Sequence, residues 1–100
     1  MAMTFRHIVL LKWIDSATDE QKAAVLEGLS KLPAEIPQLR SYTLGPDAGV
    51  SEGNYDFGIV GEFDSAEDFF VYRDHPLHQQ VISERIKPIL AARAAVQHQV

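Results

Sequence analysis

Within the ten residues from Phe69 to His78 the chain carries one phenol and two imidazoles: Tyr72, His75 and His78, each three residues from the next. Histidine titrates near neutral pH, so an imidazole here can take a proton from a carbon next to a carbonyl. A neighbouring phenol can hold that base or hydrogen-bond the oxygen of a developing enolate. Pro76 decides how the three groups are arranged. Proline has no N–H for a helical ladder and pushes the residue before it out of the α region. One helix is therefore expected to end near Arg73 or Asp74, and a second to begin with Pro76 in its first turn. Tyr72, His75 and His78 then cluster at a helix junction instead of along one straight face. A further imidazole, His7, lies far upstream.

These groups are useful only if the surrounding elements bring them together. Residues 4–14 (TFRHIVLLKWI) are rich in branched and aromatic types and read as a strand. Alternation puts Phe5, His7, Val9, Leu11 and Trp13 on one face, with Ile8, Leu10 and Ile14 on the other. A helix should follow, opened by a capping box of Thr18 with Gln21 or of Ser16 with Asp19. Its stripe Val25, Leu29, Leu32 has helical spacing, and Pro33 is expected to stop it. Residues 39–44 read as a second strand and 45–55 as a turn-rich surface loop. Residues 56–63 form a third strand, with Phe57, Ile59, Gly61 and Phe63 on one face. Ser65, with Asp68 three residues on, caps the next helix. After Pro76 the residues Leu77, Val81, Ile82, Arg85 and Ile86 keep helical spacing up to Pro88, and the tail 94–100 alternates as a last strand.

Strand, helix, strand, strand, broken helix, strand is an α+β order. It predicts a ferredoxin-like βαββαβ fold, a four-stranded antiparallel sheet with its helices on one face. The other face should be polar in a monomer, yet strand one offers Ile8, Leu10 and Ile14 there. A second sheet is the expected cover, giving a homodimeric α+β barrel.

At 100 residues the chain, 1–100, makes one small domain. Its net charge of −5 argues against nucleic acid or an anionic membrane as partner. It has no Cys, which excludes disulfides and thiolate chemistry and fits a reducing compartment. The apolar run Ile8 to Leu11 is bracketed by Arg6, His7 and Lys12, too short and too charged for a secretory signal or a membrane span. The expectation is a cytoplasmic protein that pairs with itself and takes a small molecule.

With His7 on the strand face that meets the helices, His7, Tyr72 and His78 are candidate catalytic groups around one pocket between sheet and helix. Phe5, Val9, Val25, Leu29, Ile59, Phe63 and His75 are its expected substrate-binding wall. No metal is expected: Pro76 breaks the register that would aim His75 and His78 together, and no Cys or nearby Glu completes a ligand set. Each group also has a plainer role. His7 can be a core histidine on a carbonyl, Tyr72 a buried ring, His75 a helix cap, and His78 a surface residue.

The opening strand, with His7 followed by Val9, Leu11 and Lys12, together with the Tyr72-x-x-His75-Pro76-x-His78 run, resembles the stress-responsive A/B barrel (Dabb) family over essentially the whole chain. The resemblance implies a homodimeric α+β barrel. A plant polyketide cyclase of that family closes a linear polyketide by aldol chemistry without a cofactor. It has a tyrosine and a histidine placed like Tyr72 and His78, and a strand histidine placed like His7. The resemblance thus implies cofactor-free cyclase, lyase or isomerase chemistry on a small carbonyl compound, with His78 as base and His7 orienting substrate oxygens. Val25, Leu26 and Leu29 stand where that cyclase has aromatic residues, so a different substrate is expected. Two alternatives stay open: a non-catalytic stress or structural dimer, and a monooxygenase of the kind found on other dimeric α+β barrels. The distinctive Asn/Trp/His set of the latter is missing.

Overall fold

The computed structural model describes residues 3–100. Strand β1 (Phe5–Trp13) lies inside a four-stranded sheet of order β2-β3-β1-β4, where β2 is Ser41–Pro46, β3 is Phe57–Phe63 and β4 is Leu90–Gln99. Every pairing is antiparallel. Helices α1 (Asp19–Ser30), α2 (Leu32–Glu35), α3 (Ala66–Asp74) and α4 (Pro76–Val81) complete the ferredoxin-like order. Strand parity then segregates the two faces of the sheet. His7, Val9, Leu11 and Trp13 of β1, with Phe57, Ile59 and Phe63 of β3, are buried under the helices. On the opposite face Leu10 and Val96 are 42% and 56% exposed. Among the described residues no helix is long and apolar enough to cross a membrane.

Local chemistry explains most boundaries. Thr18 caps α1 through a reciprocal box: Gln21 N–H donates to Thr18 Oγ1 at 3.1 Å, and Thr18 N–H donates to Gln21 Oε1 at 2.9 Å. The Ser16–Asp19 alternative is not used. Pro33 does not stop α1, as its position suggested. The helix ends at Ser30, and Pro33 sits in the first turn of α2, where its missing N–H costs nothing. Strand β4 starts at Leu90, four residues before the expected 94, because pairing with β1 overrides the weak strand propensity of its alanines. Between α4 and β4 the chain stays helical through the expected span, but the α form ends at Val81. A π-helical turn covers Ile82–Ile86, and a 3₁₀ turn, Lys87–Ile89, contains Pro88. The π turn is tied to α1 by Arg85, whose guanidinium donates to the Ala24 carbonyl at 2.7 Å. Gly28 permits this approach. A Cβ there would sit 3.1 Å from Val81 Cγ2 and 3.2 Å from Arg85.

The junction at Pro76 positions the region rich in chemistry. His75 is extended (φ −61°, ψ 133°), ends α3 and starts α4. Its Nδ1 accepts the Leu77 N–H at 3.1 Å, so His75 is the N-cap of α4. Leu77 N–H would otherwise be the helical partner of the Arg73 carbonyl. With that donor diverted, the Arg73 carbonyl accepts from the His78 ring, Nδ1 at 2.9 Å, and from Gln79 Nε2 at 2.6 Å. His75→Ala should therefore destabilise the protein by about 1 kcal/mol in urea unfolding. His75→Asn, which restores a cap acceptor, should recover most of that loss. Equal stability of the alanine and wild-type proteins would refute the cap.

Candidate functional site

A cavity of about 490 Å³ lies between the inner sheet face and the α3–α4 region. Its sheet side carries His7, Val9 and Leu11 from β1, Ile59 from β3, and Arg93 and Gln97 from β4. Leu29, Phe69, Tyr72 and His78 close it from the helices, and Ile82 and Ile86 from the π turn. The chain thus brings His7, Tyr72 and His78 to one hollow, with Val9, Leu29 and Ile59 in its wall. Four residues expected in that wall are elsewhere. Val25 is fully buried in the core on α1. Phe63 is sealed between Phe69 and Tyr72, with ring centroids 5.6 and 5.3 Å away. Phe5 packs against Phe63 and Phe69 beside the cavity. His75 is spent on its cap.

Strand register explains the placement of His7. It lies opposite Gly61 on β3 and opposite Gln97 on β4. The Gln97 amide nitrogen is 2.9 Å from His7 Nδ1, so Nδ1 accepts and the neutral ring carries its proton on Nε2. His78 is the mirror case. A carbonyl can only accept, so the 2.9 Å contact with Arg73 makes Nδ1 the donor and leaves the lone pair on Nε2. No other partner holds that Nε2 among the described residues. No buried side-chain nitrogen or oxygen among them is left unpaired, so Nε2 reaches open space. The two imidazoles therefore face the cavity wall as one N–H donor and one acceptor.

Electrostatics keep both rings neutral. Burial, with the Arg93 cation and His78 adding to it, lowers the pKa of His7 to about 4. Burial also lowers that of His78, partly offset by its backbone hydrogen bonds to Arg73 and Tyr72. The Tyr72 ring stacks on His78, centroids 4.1 Å apart and planes at 30°. Its hydroxyl does not hold that imidazole, as one reading of the sequence had it. It pairs instead with the Tyr42 hydroxyl on β2 at 2.9 Å. Burial raises the Tyr72 pKa to about 12, with the Tyr42 hydrogen bond and Arg93 pulling the other way. Burial also raises the pKa of Tyr42, so both phenols stay protonated. Among the described residues no group of three or more His, Asp or Glu is placed to hold a metal ion.

Residues 5–100 match the family described as the stress responsive A/B barrel domain, Dabb. The chain is a Dabb protein. Solved structures agree with the fold of this Dabb chain. A dimeric ferredoxin-like protein of unknown function from Thermobifida fusca is 44% identical, with a TM-score of 0.91, covering 100% of this chain and 93% of that one. A second dimeric protein of unknown function, from Bacteroides fragilis, is 27% identical with a TM-score of 0.83, over 100% and 98% of the two chains. A hydroxynitrile lyase from Passiflora edulis shares the fold at 16% identity, with a TM-score of 0.86 over 100% and 95% of the two chains. No curated protein matches this Dabb chain in sequence.

Tyr42, Arg93 and Gln97 are the polar residues that sequence reasoning missed. The only signal for Arg93 and Gln97 was parity, since positions 93, 95 and 97 share one strand face. The side of that face depends on a register shift at Lys12/Trp13 that no pattern revealed. The neutral His7 has a consequence for stability. Between pH 6.5 and about 4 the unfolded chain binds a proton at this site and the folded protein does not. The His7 contribution is therefore complete above pH 6.5 and falls away as pH drops toward 4. Discounted for residual solvent access, it should amount to about 2 kcal/mol. Urea unfolding at pH 7 and pH 4.5 should show this acid loss in the wild type, and His7→Gln should remove most of it. An equal acid loss in both proteins would exclude His7 as its source.

Proposed function

We propose that this Dabb protein is a cofactor-independent enzyme of the lyase, cyclase or isomerase type, acting on a small carbonyl compound. One observation carries the reading. His78 donates Nδ1–H to the Arg73 carbonyl at 2.9 Å and so keeps its Nε2 lone pair for the cavity. In this reading Nε2 takes a proton from the carbon next to the substrate carbonyl, and the electron pair of that C–H bond moves to the carbonyl oxygen as an enolate. The Nε2–H of His7 orients and hydrogen-bonds the oxygen. Tyr72 supports the base with its stacked ring, while its hydroxyl is engaged by Tyr42. A lowered pKa suits the base, because His78 is then unprotonated at neutral pH. The likeness in fold to a hydroxynitrile lyase adds an instance of lyase chemistry on this architecture.

The unit that works is, on this proposal, a homodimer. Leu10 and Val96 are exposed on the outer sheet face, and Ile8 lies in register with Val60 on one side and Val96 on the other. Apolar rows of this kind on a small protein are covered by a partner. Two similar solved proteins are described as dimeric.

Two measurements test the proposal. Sedimentation at micromolar protein should give twice the monomer mass, and Leu10→Glu should give the monomer; a monomeric wild type would end the dimer. In D₂O the protein should exchange the α-protons of simple ketones, followed by ¹H NMR, about 100-fold faster than His78→Ala does. Equal exchange rates in the two proteins would end the assignment of His78 as base.

A further inference from the structure

We propose that Arg93 is an anion anchor at the mouth of the cavity, and that the natural substrate carries a carboxylate as well as the reacting carbonyl. This rests on the cavity being the substrate site. Three side chains with fixed positive charge line the hollow, Arg73, Lys87 and Arg93, and no Asp or Glu is among its lining residues. That is unexpected in a chain with 14 acidic and 9 basic residues and a net charge of −5. The three cations are not equivalent. Arg73 is already matched, with Nε and Nη2 on the two Asp74 carboxylate oxygens at 2.8 and 3.0 Å and the guanidinium 4.6 Å from the Phe70 ring centroid. Lys87, exposed as Arg93 is, stands in the 3₁₀ turn and not on the sheet. Arg93 makes no salt bridge among the described residues and springs from the sheet itself.

Register sets its aim. Arg93 is paired with Leu11, Ala95 with Val9 and Gln97 with His7. The inner face of β4 therefore presents a guanidinium, a methyl and the amide that holds His7, in that order. Only the small Ala95, paired with Val9, separates the two polar residues on this face, so a ligand lying along the strand would have one end at Arg93 and the other at His7. The neighbouring walls are apolar, formed by Leu29, Ile59, Ile82 and Ile86. A guanidinium beside such walls offers a planar fork matched to a carboxylate. The ligand that satisfies both features is an aliphatic or aryl acid, with its hydrocarbon on the apolar wall and its carboxylate on Arg93.

Hexanoate and hexanamide are inert probes of equal chain length that differ in charge. Their binding to the full-length protein can be followed by the imidazole ¹H–¹³C resonances of His7 and His78. Hexanoate should bind at least about tenfold more tightly than the amide, as one charge-assisted hydrogen-bonded pair provides. Arg93→Gln should lower hexanoate to the level of the amide and leave the amide unchanged, whereas Lys87→Gln should preserve the preference. A ¹H–¹⁵N spectrum of Arg93→Gln confirms that the fold is intact. Equal binding of the two probes to the wild type, or a preference that survives Arg93→Gln, overturns the anchor and leaves the cavity reading standing. Imidazole resonances untouched by either probe overturn both.

Discussion

The extended backbone that Pro76 imposes on His75 is the constraint from which the arrangement of the site follows. At the end of α3, the Arg73 carbonyl would in a continuous helix accept from the Leu77 N–H. Proline breaks the ladder and His75 turns extended, and its own ring captures that N–H. A buried or half-buried carbonyl must still find a donor. His78 supplies one from Nδ1, and this fixes both the orientation of the imidazole and its tautomer. The same break that ends one helix thus decides which nitrogen of a histidine is free. A straight helix through residues 72–78 would satisfy the carbonyl internally and leave the His78 ring free to turn.

The second determinant is burial without compensating acid. In many histidine sites a carboxylate sits behind the ring and raises its pKa. Here His7 is backed by an amide and His78 by a carbonyl, both neutral, and the nearby fixed charge, Arg93, is positive. Burial and that cation act in the same direction on both rings, so neutrality is the cheap state for each. Partner geometry then assigns the protons oppositely, to Nε2 in His7 and to Nδ1 in His78. Two chemically identical side chains become a donor and an acceptor because one faces an N–H and the other a C=O. Tyr72 does not break this symmetry, since its hydroxyl is engaged by Tyr42 and only its ring touches His78.

Much of this was legible in the sequence, and the illegible part has identifiable causes. Period-two alternation in β1 and β3 correctly separated His7, Val9, Leu11 and Ile59 from Ile8 and Leu10, since one-sided burial leaves a strong signal. The proline between His75 and His78 announced the junction, because its backbone restriction is local. What could not be read was anything set by pairing between distant strands. Gln97 meets His7 only through the β1–β4 register, which shifts at Lys12/Trp13, and four of the first six residues of β4 are alanine. Tyr42 meets Tyr72 only once α3 is packed on the sheet. Val25 and Phe63, expected in the wall, lie in the sealed core for a related reason. Inward-facing residues divide between sealed core and open cavity according to helix placement, and parity cannot distinguish the two.

Strand parity also lets one thin sheet serve two purposes without interference. Odd-numbered positions of β1 carry His7 and the floor of the cavity, and even-numbered positions carry Ile8 and Leu10 on the outer face. Arg93 and Gln97 of β4 continue the cavity floor, while Ala94 and Val96 continue the outer apolar rows. Arg6, whose guanidinium reaches Glu62 at 2.6 Å across the outer face, ties β1 to β3 at the level of His7 without entering the cavity. A side-chain change on the outer rows can reach the imidazoles only through a backbone shift, which a central strand paired on both edges resists. Surface association and cavity chemistry are therefore separable by mutation, although the two sets of residues alternate along the same few ångströms of chain.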